Sequence, residues 1–349
     1  MWFVHKYYSY IVYMYYVGKL YTFWVFFCYS RDKVKYLIRK SNKGISTMLA
    51  LIGMIALLVI GLGIGYVLNS GTTGTSAEFP EDSEWRTGAI NLAGSTTVLP
   101  VADEAAKAFM NKYTSATVTV QGGGSGTGYA SAIDGTVEIG MASRGPKQTE
   151  IDAGTLWLHP LALDAVCVVV NPSVGSNVEL TLEEVAMIFA GEYTNWNEVD
   201  ASFPDAEIYV VVRESGSGTR GTFEEYTIDE YELEIDSTIV HEQPSNPAVR
   251  TAVTNTDYSI GYVGFGFLTN DMVAVSLAAE AGDNYVPATL ENIANGSYPI
   301  SRLLYFVTSS PTESGSLADR FISFVLSSEG QDIVEDEGFL RLPASNNYP

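Results

Sequence analysis

Lysine is nearly missing from most of this chain, occurring after residue 45 only at Lys107, Lys112 and Lys147. Cysteine and histidine are also scarce, limited to Cys28 and Cys167 and to His5, His159 and His241. One cysteine lies in an aromatic run and the other in the Val-rich stretch 165–170, so neither a disulfide framework nor a cysteine metal site is expected. Three scattered histidines give no zinc-ligand spacing and no histidine-based catalytic cluster, and each reads as a surface or loop residue. Positive charge is short overall. The 349 residues hold 19 Lys and Arg against 41 Asp and Glu, a net charge of -22. Eight of the basic residues and one acid, Asp32, fall in the first 45, so the remainder carries 11 basic and 40 acidic side chains and a net charge of -29. A surface that acidic repels phosphate backbones and anionic lipid alike, which excludes nucleic-acid binding by the main domain. With 46% hydrophobic residues, this region is long enough for one large or two medium units with real cores, and disorder is excluded.

Charge is wholly absent from residues 48–68, a 21-residue stretch close to the roughly 20 that an α-helix needs to cross the hydrocarbon core. Before it, residues 31–43 carry six basic side chains against one acid. The positive-inside rule keeps such a segment in the cytoplasm and places everything after Leu68 outside. No small-residue cleavage site stands out and no Cys follows the apolar run, so an uncleaved anchor is the first reading and a cleaved signal the second. In residues 7–29, 12 of 23 side chains are aromatic, which reads either as an extra span or as a start placed upstream of the true one. The expected organisation is an aromatic and basic segment 1–47, an anchor or signal 48–68, a Gly-, Thr- and Ser-rich flexible linker 69–86 and a folded domain 87–349.

From Ala89 onward, short apolar stretches alternate with helical spacing. Strands are expected over 90–92, 118–120, 137–140, 161–170, 207–212, 260–268 and 302–308. Helices are expected over 101–112, 129–133, 180–190, 220–226, 247–254, 315–326 and 330–336, with Thr181 and Glu184 as a capping box. That alternation signals an α/β architecture around a largely parallel sheet.

Four loops, each where a strand gives way to a helix, are built of Gly, Ser, Thr and Arg: residues 94–97, 122–128, 142–144 and 213–220. Helix N-termini offer free N–H groups and partial positive charge, Gly admits an anion close to the backbone, and hydroxyls add donors without charge. Ligands of open α/β sheets bind outside the carboxyl ends of strands, where these loops fall. Gly and Ser are also ordinary turn residues, but four such loops, two with Arg in a region short of basic residues, point to an oxyanion cage. The Gly122 to Gly128 spacing fits neither the dinucleotide nor the phosphate-loop pattern, and no nucleophile elbow surrounds Ser125 or Ser217.

Gly94-Ser-Thr-Thr-Val-Leu-Pro100, Gln121-Gly-Gly-Gly-Ser-Gly-Thr-Gly128, Ile139-Gly-Met-Ala-Ser-Arg144, Arg213-Glu-Ser-Gly-Ser-Gly-Thr-Arg-Gly-Thr-Phe223 and Ser259-Ile-Gly-Tyr-Val-Gly264 together resemble the substrate-binding proteins of phosphate ABC transporters. Order and spacing fit from about residue 88 to 343, including the pattern within 180–196. The resemblance implies a two-lobed type II periplasmic-binding-protein fold with a hinge, which would follow the transmembrane helix read above from the uncharged run 48–68. Lobe one would be 88–164 plus 262–349 and lobe two 165–261. It implies inorganic phosphate as ligand, ABC permease subunits and, through the N-terminal helix, the membrane as partners, no cofactor, no metal and no catalytic residue. By motif position, Thr96, Thr97, Ser125, Ser143 and Arg144 would bind from lobe one and Arg213, Ser217, Gly218 and Thr219 from lobe two, with Ser95, Gly126 and Thr127 as second choices. Well-known members carry a carboxylate after the Ser of the third loop, which accepts the proton of monohydrogen phosphate. Arg144 stands there instead, and Glu214 is a possible acceptor that the sequence does not single out. Two other functions fit the residues less well: an oxyanion-sensing or adhesion module without transport, and a phosphohydrolase, which would lack a general base.

Overall fold

The computed structural model describes the backbone of Tyr8–Tyr16 and Lys19–Phe27 and all of residues 88–342. Met1–Pro80 and Glu81–Pro349 form separate compact units. In the first, β1 (Tyr8–Tyr16) and β2 (Lys19–Phe27) pair antiparallel, from Tyr8↔Phe27 to Tyr16↔Lys19. Tyr, Phe, Val and Ile favour strands, so the stretch read above as an extra span forms a ribbon over these residues. Residues 48–68 and 69–86 lie outside the described residues. Among the described residues no helix is long and apolar enough to cross a membrane.

The second unit begins with β3 (Gly88–Gly94), α1 (Leu99–Lys112), β4 (Ala116–Gly122), α2 (Ser125–Ile133), β5 (Ile139–Ala142) and α3 (Gln148–Ala153). β3 pairs parallel with β4 and β5, and α1 buries Val101, Ala102, Ala105, Ala106 and Phe109, one stripe at helical spacing. At Gly94, φ is 139°, and a Cβ there would lie 2.2 Å from the Met141 carbonyl oxygen and 2.8 Å from Gly128 Cα. Only glycine allows this backbone turn and lets α2 rest directly on the sheet.

The 14-residue strand β6 (Trp157–Val170) belongs to both lobes. Its first part pairs antiparallel with β13 (Ser301–Thr308) as far as Ala165↔Ser301. Its second part pairs antiparallel with β10 (Ser259–Gly264) from Val166↔Gly264. Lobe two is built from β7 (Glu179–Thr181), α4 (Leu182–Phe189), α5 (Trp196–Val199), β8 (Tyr209–Arg213), α6 (Gly218–Tyr226), β9 (Val240–Gln243), α7 (Asn246–Asn255) and β10. The Thr181–Glu184 capping box is present, with Glu184 N–H donating to Thr181 Oγ1 at 3.1 Å and Thr181 N–H donating to Glu184 Oε2 at 2.8 Å.

The return to lobe one differs from the expected boundary at residue 262. β10 stays in lobe two, as do β11 (Val273–Ala274), which pairs with Val170 and Val169, β12 (Ser276–Ala278), which pairs with β7, and α8 (Leu290–Ala294). Val275, Leu277, Ile293, Tyr298 and Ile300 share one core with Val168, Val185 and Phe189. The chain therefore re-enters lobe one at Ser301, followed by α9 (Leu317–Val325) and α10 (Ser328–Asp336). The main sheet runs β4-β3-β5-β13-β6-β10-β8-β9, with β11 beside β6. Its wings are parallel as expected, but its centre is antiparallel, because β13 and β10 both run back along the shared strand. The strand expected over 260–268 ends at Gly264, where Phe265–Phe267 turns as a 3-10 helix.

Candidate anion-binding site

All four polar loops fall at carboxyl ends of strands: after β3, β4, β5 and β8. Three of them lead into α1, α2 and α6, whose first N–H groups have no acceptor within the helix and carry the positive end of its dipole. Ser95 Oγ accepts from Thr97 N–H at 3.1 Å and Val98 N–H at 3.4 Å. Ser217 Oγ accepts from Arg220 N–H at 3.2 Å, capping α6. These two serines hold the helix starts in place.

The lobes meet across this cage. Arg213 Nη2 donates to Thr96 Oγ1 at 3.0 Å, and Thr97 Oγ1 lies 3.0 Å from Thr219 Oγ1. Gly126 N–H donates to the Gly216 carbonyl at 3.1 Å and Thr222 Oγ1 to the Ser143 carbonyl at 3.4 Å. Ser143 N–H donates to Ser125 Oγ at 3.0 Å, and the two hydroxyls are 3.3 Å apart. Gly218 closes against both serines: a Cβ there would fall 2.1 Å from Ser125 Oγ and 2.5 Å from Ser143 Oγ. Thr96, Thr97, Ser125, Ser143, Arg213, Gly218 and Thr219 thus converge, with Ser95 and Ser217 as braces.

Three expected residues do other work. Arg144 gives Nη1 and Nη2 to the two oxygens of Glu150, both at 2.7 Å, and its guanidinium lies over the Tyr129 ring at 5.1 Å. That fork is a two-point ion pair, and Arg144 Nε stays buried with no partner among the described residues. Thr127 Oγ1 donates to the Gly123 carbonyl at 2.6 Å and is exposed, and the Gly126 N–H is spent on Gly216.

Three residues were missed. Asp164 and Arg302 face each other across β6 and β13, with Arg302 Nε and Nη2 donating to Asp164 Oδ2 at 2.9 and 2.7 Å. Burial pushes the Asp164 carboxyl up, opposed by the Arg302 guanidinium and by the N–H of Phe265. Asn246, wholly buried, donates to Thr97 Oγ1 at 2.8 Å. A lone acid inside the apolar run 161–170 and a lone base opening an apolar strand were the signals available for the first two, since charges in such settings are paired when buried. Asn246 carried no comparable signal.

Each arginine has its own carboxylate: Arg213 gives Nε and Nη2 to Glu214 Oε2 and Oε1 at 2.9 and 2.8 Å, as Arg302 has Asp164 and Arg144 has Glu150. The cage therefore offers oriented N–H and O–H dipoles with little net charge. Arg213 Nη1 is buried and has no partner among the described residues. Among the described residues no group of His, Cys, Asp and Glu could hold a metal ion.

A family model for the PBP superfamily domain matches residues 80–329. The phosphate-binding protein PstS of Bacillus subtilis (strain 168) is 32% identical over 305 residues, covering 86% of this chain and 94% of its own length. PstS of Borreliella burgdorferi is 31% identical over 260 residues, covering 72% of this chain and 90% of its own. Among solved structures, a Clostridium perfringens protein assigned as a phosphate ABC transporter substrate-binding protein, with bound phosphate, superposes with a TM-score of 0.65 at 34% identity, over 73% of this chain and 100% of that one. An ABC-type phosphate transport receptor from Vibrio cholerae gives 0.60 at 29% identity over the same shares. A two-lobed fold with polar loops gathered at its strand ends and similarities that span most of the chain lead to one assignment: the chain belongs to the PBP superfamily and, within it, to the PstS phosphate-binding proteins.

Proposed function

We propose that this protein is the extracytoplasmic substrate-binding component of a phosphate ABC importer, capturing inorganic phosphate between its lobes and delivering it to permease subunits. The observation that carries this reading is Arg213: its side chain is 1% exposed, its Nη1 has no protein partner, and its Nη2 already bridges to Thr96 on the other lobe. A buried charged donor is costly unless an acceptor meets it, and a dehydrated oxyanion among the hydroxyls of Thr96, Ser125, Ser143 and Thr219 supplies one. Opening the lobes admits the ion and closing them completes its hydrogen bonds. Binding requires no covalent step: His159 pairs with Thr308 Oγ1 and His241 stacks on Tyr209, so neither offers a base to the cage. Glu214 takes the proton-sensing role, lying between Arg213 and the glycine loop, where its Oε1 is 3.4 Å from the place of a Gly124 Cβ.

Residues 48–68 anchor the protein, with the folded domain on the outer face. After a carbonate wash it should remain with membranes, with the domain open to external protease; a mature N-terminus between residues 69 and 84 would show cleavage instead. Calorimetry on the full chain with phosphate, arsenate and sulfate tests the ligand. Phosphate and arsenate should bind and sulfate should not, and the absence of phosphate binding would overturn the assignment.

A further inference from the structure

Thr97 is ringed by groups whose hydrogen-bond roles are fixed. Gly264 N–H, which only donates, reaches Asn246 Oδ1 at 3.2 Å, so the amide's Nδ2 faces Thr97 and donates to its Oγ1 at 2.8 Å. Arg302 Nη2, also only a donor, lies 3.5 Å from the same oxygen while its other hydrogen goes to Asp164 Oδ2 at 2.7 Å. A hydroxyl accepts twice and donates once. With both acceptor positions of Thr97 taken, its proton is left for Thr219 Oγ1 at 3.0 Å. Thr219, wholly buried, has no other side-chain partner among the described residues, so its own proton is free to point into the cage.

We propose that Thr97 is a positioning residue that does not touch the anion through its hydroxyl: Asn246 and the Asp164–Arg302 pair make it an acceptor, and it in turn aims the Thr219 hydroxyl at the ligand. Three of these residues lie at the hinge. Asp164 and Arg302 are cross-strand partners beside the switch from β13 to β10, and Gly264 ends β10. A Cβ at Gly264 would lie 3.1 Å from both Arg302 Nη2 and Asp164 Oδ2 and 3.2 Å from Thr97 Cγ2. The donor that completes the cage is thereby set from the strands about which the lobes close. Thr96 lacks this ring: among the described residues its Oγ1 accepts only from Arg213 Nη2, which leaves its proton for the anion.

The inference rests on phosphate being the ligand, so binding of phosphate by the unaltered full chain is the first measurement; no binding would overturn the ligand assignment and this inference with it. Calorimetry on Thr97→Val, Thr219→Val and the double variant then separates the roles. Loss of a direct donor in Thr219→Val should weaken binding about 10- to 100-fold, with a smaller loss in Thr97→Val and a double variant no weaker than Thr219→Val alone. Thermal melts on the same samples report folding separately. Where Thr97→Val does not fold, Asn246→Ala in the wild-type and Thr219→Val backgrounds makes the same comparison. Losses that multiply in the double variant would make Thr97 a direct ligand and overturn the proposal.

Discussion

Two arginines that looked alike in the sequence separate once their partners are known. Among the described residues Arg213 keeps a buried, unpartnered Nη1 and reaches Thr96 through Nη2, whereas Arg144 gives both Nη groups to Glu150 and keeps only its Nε unmatched. Arg213→Ala should therefore weaken phosphate binding by roughly 2–5 kcal/mol, since a buried charged donor is lost from a dehydrated anion. Arg144→Ala should cost affinity at least tenfold less and act mainly on the melting temperature, by freeing Glu150; equal losses in calorimetry would return Arg144 to the cage. Gly218 tests closure itself. A methyl there collides with Ser125 and Ser143 of the other lobe, yet it sits in the first turn of α6, where Ala is the better helix former. Gly218→Ala should leave the melting temperature of the unliganded protein unchanged or slightly raised while phosphate affinity collapses. Retained affinity would mean that the lobes close less tightly than their present contacts imply.

At the scale of elements, acidic caps tie local structure to pH. Glu198 in α5 accepts from Thr194 N–H at 2.8 Å and Asn195 N–H at 3.0 Å, and these backbone hydrogen bonds hold its carboxyl below the usual range. A depressed folded value means that the stabilisation is fully present above the unfolded value and is lost as pH falls through the folded one. The melting-temperature gap between the wild type and Glu198→Gln should thus be widest near neutrality and shrink as pH drops below about 4. A gap constant from pH 7 to about 3 would deny the carboxylate this role. Much of this level was legible beforehand. The strand-to-helix order, the Thr181–Glu184 box and the polar loops at strand ends follow from periodicity and capping chemistry. The short strands β7, β9, β11 and β12 were not, because two to four residues carry no usable period and are held by partners distant in the chain.

For the whole molecule, the contradiction is an anionic ligand in a body whose net charge after residue 45 is -29. Long-range attraction cannot bring phosphate in; a uniformly negative field slows the encounter, and salt screens exposed charges beyond about 8 Å at physiological strength. On the proposed site, affinity then arises from short-range dipoles and the buried Arg213 inside the closed cleft. Raising KCl from about 0.05 to 2 M should speed association slightly, leave dissociation nearly unchanged and raise the melting temperature as surface repulsion is screened. A steep fall of the association rate with salt in stopped-flow binding would mean that attractive steering governs recognition.

The sequence by itself determined the charge asymmetry, the α/β alternation and which four loops carry donors, because these depend on residue type and near-neighbour spacing. Only the tertiary structure decided which of these donors come together and which partners they find. Glu150 pairs with both Nη groups of Arg144, the pairing of β10 and β11 with β6 moves the lobe boundary to Ser301, and Asp164, Arg302 and Asn246 gather around Thr97 from positions up to 205 residues away along the chain. Hydrogen-bond direction belongs to such assembled neighbourhoods, since a hydroxyl donates or accepts according to what surrounds it.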